Sequence, residues 1–247
     1  MIDLFSRPPE TTFERLLRLP LKLVPKSAVV PVLRGPLAGL WWIAGSGIHR
    51  CWLGFYELPK QKRFAACIGP GMTVYDIGAN TGIYTLLAAR RVGTAGQVHA
   101  FEPLPENLAF LRRHVELNHF EQVRIHSEAV SEKAGVLRFA RGSDRFVGRI
   151  DRQGELEVQT DCLDEFIARG SGSAPDVIKV DVEGAEIQVL RGSRELLASK
   201  HPVIFLATHG RSIHQECCEM LTSLHYRLEG LTGESASQAD ELVCLPS

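Results

Sequence analysis

Asp76, Gly78, Asn80, Thr81, Gly82 and Glu102 carry the clearest chemistry in this chain, through their order along one apolar strand, one tight turn and one second strand. The run Met72–Ile77 suits a strand buried on both faces. Gly78 and Gly82 let the backbone turn sharply and approach a ligand without a Cβ in the way. Ile83–Ala89 then begins a helix, and a second strand, Gln97–Phe101, ends at Glu102 about twenty residues past Gly82, where an acid can accept hydrogen bonds from both ribose hydroxyls. Together they form a βαβ unit suited to a nucleoside cofactor. The turn spells Gly-x-Asn-x-Gly, because Asn80 stands where the dinucleotide fingerprint has its second glycine. A pyrophosphate needs bare backbone at the helix N-terminus, whereas Asp76 suits a cationic ligand group. S-adenosylmethionine offers such a group, an ammonium, together with a ribose for Glu102. A nicotinamide-dependent oxidoreductase of the NAD type and a non-catalytic cofactor-binding module are the alternatives.

A second cluster, Lys179-Val180-Asp181-Val182-Glu183-Gly184-Ala185-Glu186, closes the apolar run Asp176–Val182. Open α/β sheets bind ligands at such carboxyl ends of strands. Alternation sends Lys179 and Asp181 to the same side of the strand, where an ion pair is expected. Asp181 at the strand tip can hold the cofactor's amino group or an acceptor hydroxyl. Glu183 and Glu186 favour the start of the next helix through its dipole, and Glu186 reads as mainly structural. The following strand, Val203–Thr208, ends at His209, whose ordinary pKa lies near physiological pH and makes it the candidate base, oriented by Asp181. An alternative has Asp181 and Glu183 hold a Mg²⁺ that acidifies the hydroxyl; no metal set is otherwise indicated.

The positioning elements follow from the pattern around these clusters. From Met72 onward strands and helices alternate, as in a mostly parallel sheet with helices on both faces. Helices are expected over Pro105–His119, Leu163–Ala168, Ala185–Ala198 and Ser212–Leu224. Further strands are expected at Val123–His126 and Val136–Ala140, with a final pair His225–Leu231 and Glu241–Leu245. Arg141–Glu155 reads as a polar surface loop whose Arg141, Arg145 and Arg149, with the N-terminal aromatics at Trp41–Ile43 and Cys51–Glu57, are candidates for acceptor recognition. Residues 1–62, punctuated by seven prolines, read as an N-terminal cap on a domain of 63–247, with two helical turns at Phe13–Leu19 and strand or loop pieces at Trp41–Ile43 and Cys51–Glu57. That cap is also where a homo-oligomer contact is expected.

With 28 basic and 29 acidic residues the chain has no basic field for nucleic acid. Its six cysteines show no C-x-x-C spacing, and Met1-Ile2-Asp3-Leu4 opens no signal peptide, so a cytoplasmic setting is expected. No apolar run nears the ~20 residues of a membrane span.

Asp76-Ile77-Gly78-Ala79-Asn80, Ala100-Phe101-Glu102-Pro103, Glu128-Ala129-Val130-Ser131 and Lys179 through Glu186 together resemble the FkbM family of S-adenosylmethionine-dependent methyltransferases, over about Tyr56 to His209. The resemblance implies a Rossmann-like class I methyltransferase, with a seven-stranded, mostly parallel sheet and an antiparallel final strand. It implies O-methylation of a hydroxyl on a sugar or natural-product acceptor, with S-adenosylhomocysteine as product. It implies that Asp76, Gly78, Asn80 and Glu102 bind cofactor, that Ser127, Glu128 and Ala129 border the adenine, and that Asp181 and Glu183 sit at the reaction centre; Glu57, Thr81, Gly82 and Pro103 are further candidates for the cofactor site, and His209 is the candidate base beside it. Ala207-Thr208-His209 departs from the acid that many members carry before the final histidine.

Overall fold

The computed structural model describes residues 21, 23–141, 148–150 and 154–247, and side chains outside 141–153. The helical turns expected at Phe13–Leu19 lie outside the described residues, as do the side chains of Arg141, Arg145 and Arg149.

The central sheet has seven strands in the order β12-β13-β11-β10-β3-β4-β5. Here β3 is Thr73–Ile77, β4 Gln97–Phe101, β5 Val123–His126, β10 Val177–Val180 and β11 Val203–Ala207, all mutually parallel. β12 (Tyr226–Gly230) and β13 (Glu241–Pro246) form a hairpin, and β13 runs antiparallel to β11. The apolar runs follow from this arrangement: Val74, Tyr75, Ile77, Val98, Ile178, Val180, Ile204 and Phe205 are buried because helices cover both faces. The chain leaves β3 toward β4 on one side, while β10 flanks β3 on the other. Strand order therefore reverses at β3/β10, and a crevice opens beyond their carboxyl ends.

Gly78 is required at this point. Its φ is 76°, and a Cβ there would lie 1.9 Å from the carbonyl oxygen of Asp181, so the β3 turn crosses directly over the end of β10.

Four expectations are corrected. Arg141–Glu155 is not all loop: Gly148–Ile150 (β8) pairs with the end of β7 (Gly135–Arg141), and β9 (Leu156–Asp161) continues the same sheet, of order β6-β9-β7-β8 with β6 at Ala129–Val130. Val158 and Thr160 turn inward along β9, an alternation that the polar residues before it concealed. The single helix expected over Ala185–Ala198 is two, Glu186–Arg191 and Arg194–Lys200. The chain breaks where Gly192 presses on Ser131, a Cβ there lying 2.1 Å from its carbonyl, and Asp164 caps the second helix by accepting the N–H groups of Glu195 and Leu196. Cys51–Glu57 is neither strand nor loop at its start but the end of a helix, His49–Leu53, stopped by Gly54 at φ 81°.

Finally, the helix Leu58–Ala66 runs across the boundary expected at 62/63. The N-terminal part shares one core with the sheet: Val32, Leu37 and Trp42 join Phe64, Val74 and Leu86, and Phe64 meets Tyr84 and Phe205 edge to face. The hairpin of β1 (Val29–Pro31) and β2 (Trp41–Ile43) is riveted to the domain by His114, fully buried on the helix Pro105–Leu117. His114 stacks on Trp42, accepts the Ile43 N–H through Nε2 and donates from Nδ1 to the Thr81 carbonyl. Burial holds this imidazole neutral, with its pKa down at about 4.

Candidate active site

A cavity of about 810 Å³ fills the crevice. Gly78, Asn80, Thr81 and Gly82 line it from the β3 turn, Glu102, Pro103 and Asn107 from beyond β4, Ala129 from β6, and Asp181 and Glu183 from beyond β10. Lys26, Ser46, His49 and Tyr56 close it from the N-terminal part, and of these Tyr56 belongs to the N-terminal aromatics expected to line a pocket.

Glu102 is 4% exposed. Its Oε2 accepts the Asn80 N–H at 2.8 Å, and its Oε1 accepts the Leu104 N–H at 2.9 Å and the Asn107 side-chain amide at 3.1 Å. Burial raises its pKa, against the pull of these three donors. A carboxylate offers about four acceptor positions, so three donors leave one for a ligand hydroxyl. Asn80 reaches its place through a left-handed backbone, φ 52°, and its side-chain oxygen takes the Thr81 N–H at 2.7 Å. The N–H groups of Asn80 and Thr81 are thus already engaged.

Asp76, expected to meet a ligand cation, already has a cation of the chain's own beside it. It is fully buried behind the turn, off the cavity wall, and its cation is Lys179, 3.2 Å away, with the Thr85 hydroxyl donating at 2.6 Å. Lys179 also donates to the Gly78 carbonyl at 2.7 Å and stands 3.9 Å from Asp181, so the expected ion pair is shared between two acids. Glu57, Ser127 and Glu128 also lie off the cavity wall. Glu57 accepts the Tyr84 hydroxyl at 2.7 Å.

Lys60 was missed in the sequence, where nothing distinguishes it from other helix lysines. Only 3% of its side chain is exposed, and Glu241 at 2.7 Å, Asp181 at 3.7 Å and Glu57 at 3.8 Å surround its ammonium. Burial works against that charge, but the three acids outweigh it and raise the pKa. Burial likewise opposes charge on Asp181, yet Lys179, Lys60 and His209 hold its carboxyl below the ordinary value.

His209 stands beside the cavity rather than in its wall, touching the acids that line it. Its Nδ1 donates to Glu186 at 2.9 Å, and its Nε2 lies 3.5 Å from Glu183 and 3.9 Å from Asp181. The hydrogen bond to Glu186 leads in raising its pKa to about 9, against partial burial and with help from Glu183 and Asp181. At neutral pH it is therefore an imidazolium. Glu186, fully buried, accepts both this bond and the Gly184 N–H, and the two hold it ionised despite burial. Asp181, Glu183 and His209 each present a ligand atom within 4.8 Å of the others; for any metal ion, the proton on His209 is the competitor.

A parallel sheet with an antiparallel hairpin at one edge, a buried acid after the second strand and an acidic cluster after the fourth parallel strand define the Rossmann-like methyltransferase class. The chain belongs to the FkbM family of S-adenosylmethionine-dependent methyltransferases: the methyltransferase FkbM domain matches residues 76–228. It is similar to the hexuronic acid methyltransferase AglP of Haloferax volcanii, 28% identical over 133 residues, covering 53% of this chain and 54% of that protein. It is similar also to the 31-O-demethyl-FK506 methyltransferase FkbM of Streptomyces tacrolimicus, 29% identical over 177 residues, covering 54% of this chain and 67% of that one. The crystal structure of methyltransferase FkbM from Methylobacillus flagellatus shares the fold, with a TM-score of 0.51 at 17% identity over 80% of this chain and 53% of that one. The chain thus spans between half and two thirds of the length of these relatives. Among the described residues no helix is long and apolar enough to cross a membrane.

Proposed function

We propose that this chain transfers a methyl group from S-adenosylmethionine to a hydroxyl oxygen of a small-molecule acceptor, a sugar or a natural product, in the cavity beyond β3 and β10. The observation that carries the reading is the pairing of two acids across one cavity: Glu102 with an acceptor position open for a ribose hydroxyl, and Asp181 beside Glu183 for positive charge. A dinucleotide fits less well, since Glu102 and Asn80 consume the turn's N–H groups. The acceptor class rests on the relatives, one named for a hexuronic acid and one for 31-O-demethyl-FK506.

The bound cofactor supplies an electrophilic methyl on a sulfonium, and alignment with the acceptor oxygen accounts for most of the rate. The protein's own work is to hold and to take. Glu102, Asn107 and the Gly78–Gly82 turn orient the nucleoside, and Asp181, kept ionised by Lys60 and Lys179, orients the acceptor hydroxyl or the cofactor's amino group. His209, directed by Glu186, receives the hydroxyl proton once it has given up its own.

Calorimetric titration with S-adenosylmethionine and S-adenosylhomocysteine tests this, with NADH as control and Glu102→Ala as variant. Binding of both sulfur compounds, weakened at least about tenfold in Glu102→Ala as expected for bonds to a charged group, supports the reading. Binding of NADH alone returns it to an oxidoreductase.

A further inference from the structure

The acids at the reaction centre come from every element around it, and their cations are unevenly committed. Lys60, from the helix Leu58–Ala66, lies closest to Glu241 of β13, with Glu57 also near; Lys179 of β10 lies closest to Asp76 of β3. Lys60 is nearer to Glu241 than to Asp181, and Lys179 is nearer to Asp76 than to Asp181. Among the described residues, the imidazole of His209 is the cation within ion-pair distance of both Glu183 and Glu186, and it also faces Asp181. Three carboxylates from the loop after β10 and the helix that follows therefore surround a single titratable cation at the end of β11, and two of them, Asp181 and Glu183, also face the cavity.

Resting on the methyl-transfer reading above, we propose that the Asp181–Glu183–Glu186 cage carries one exchangeable positive charge: a proton on His209 in the free protein, replaced by the sulfonium charge when the methyl donor binds. Donor binding then expels the proton and leaves His209 neutral, with a lone pair free for the acceptor's proton. A base that is charged, and so inactive, in the free protein is switched on by the donor alone.

The same exchange balances the reaction. As the new C–O bond forms and the C–S bond breaks, the sulfonium becomes a neutral thioether, and His209 takes the proton released by the hydroxyl. One positive charge leaves the cage and one returns, so the acids that face the cavity keep a counter-charge through turnover, the lack of which is costly inside a protein. The hydrogen bond from His209 to Glu186, which leads in holding the imidazole charged up to about 9, is consistent with a cage that demands a cation.

Calorimetry at pH 8 in two buffers of different ionisation enthalpy counts the protons exchanged on binding. S-adenosylmethionine is expected to release close to one proton and S-adenosylhomocysteine, which lacks the sulfonium but keeps the ammonium and carboxylate, close to none. At pH 10, where His209 is already largely neutral, the difference between the two should fall away. His209→Gln, with its fold checked by circular dichroism, should bind the donor without proton release. Equal proton counts for the two ligands in the wild-type protein, or a release that persists in His209→Gln, overturn the proposal while leaving the cofactor reading intact. Failure of both ligands to bind overturns the cofactor reading and the exchange with it.

Discussion

Replacing Lys60 by Met tests the idea that one helix lysine from the N-terminal part organises the acids of a site assembled from much later sequence. The methionine conserves length and apolar volume while removing the ammonium, so the change reports on charge. Glu241, Asp181 and Glu57 would then face one another across 2.7–3.8 Å contacts that had been made to Lys60. Removing one partner of a fully buried ion pair costs about 3–5 kcal/mol. Here the lysine is buried at 3% exposure, but its three acids are 26–33% exposed, so water recovers part of the loss. Screening of that kind lowers the expectation to about 2–3 kcal/mol. With a urea dependence of about 2–3 kcal/mol per molar, the unfolding midpoint falls by roughly 1 M. Arg63→Met is the control: its partner Glu229 and the arginine itself are about one third exposed, and removing that pair with the two bonds from Arg63 to the Gly230 and Leu231 carbonyls should cost about 1–2 kcal/mol. The sign with pH is also set. Asp181 has a lowered pKa in the folded protein, so its contribution is present above its unfolded pKa and is lost as pH falls through the folded one; Lys60→Met should shrink that acid-side loss. A Lys60→Met midpoint within the error of Arg63→Met would refute the reasoning, showing that the three acids are solvated well enough to need no counter-ion.

Two further outcomes are expected. His209 has a folded pKa raised to about 9 from an ordinary 6.5, so its contribution to stability is complete below 6.5 and disappears as pH rises through about 9. Discounted for a side chain that is 36% exposed, the loss is about 1 kcal/mol, measurable as a fall in wild-type stability between pH 6.5 and 9.5 that His209→Gln lacks. Because that proton occupies the Nε2 facing Asp181 and Glu183, titration with Mn²⁺ at pH 7 should give no binding tighter than about millimolar, in the range of weak carboxylate sites. Stoichiometric micromolar Mn²⁺ binding that is lost in Glu183→Gln would instead make the trio a metal centre.

The parts legible in the sequence are those that local rules govern. Val74 and Ile77 belong to an apolar run ending in Gly78, and the fold demands glycine there because the turn passes over Asp181. Glu102 could be found because the distance from a glycine turn through one helix and one strand is nearly constant in a βαβ unit. Strand periodicity likewise announced β10, β11 and the final hairpin, and with them the carboxyl-end placement of Asp181 and His209.

Chemistry that depends on partners distant in sequence was not legible. Asp76 looked free for a ligand because nothing nearby claims it; Lys179, more than a hundred residues later, does so only when β10 settles beside β3. Lys60 is one of many lysines until its helix lies 181 residues away from its own number, against Glu241. The charge of His209 belongs to no local pattern, since its ordinary pKa would leave it mostly neutral and three acids from the β10 turn decide otherwise. Periodicity and glycine placement act over a few residues and survive in any context, so the sequence alone determined the central sheet, the glycine turn after β3 and the ends of the strands. Pairing of buried charges acts through space, over distances that only packing sets, so the tertiary structure decided which acids face the cavity, which are already neutralised and which cation is free to exchange.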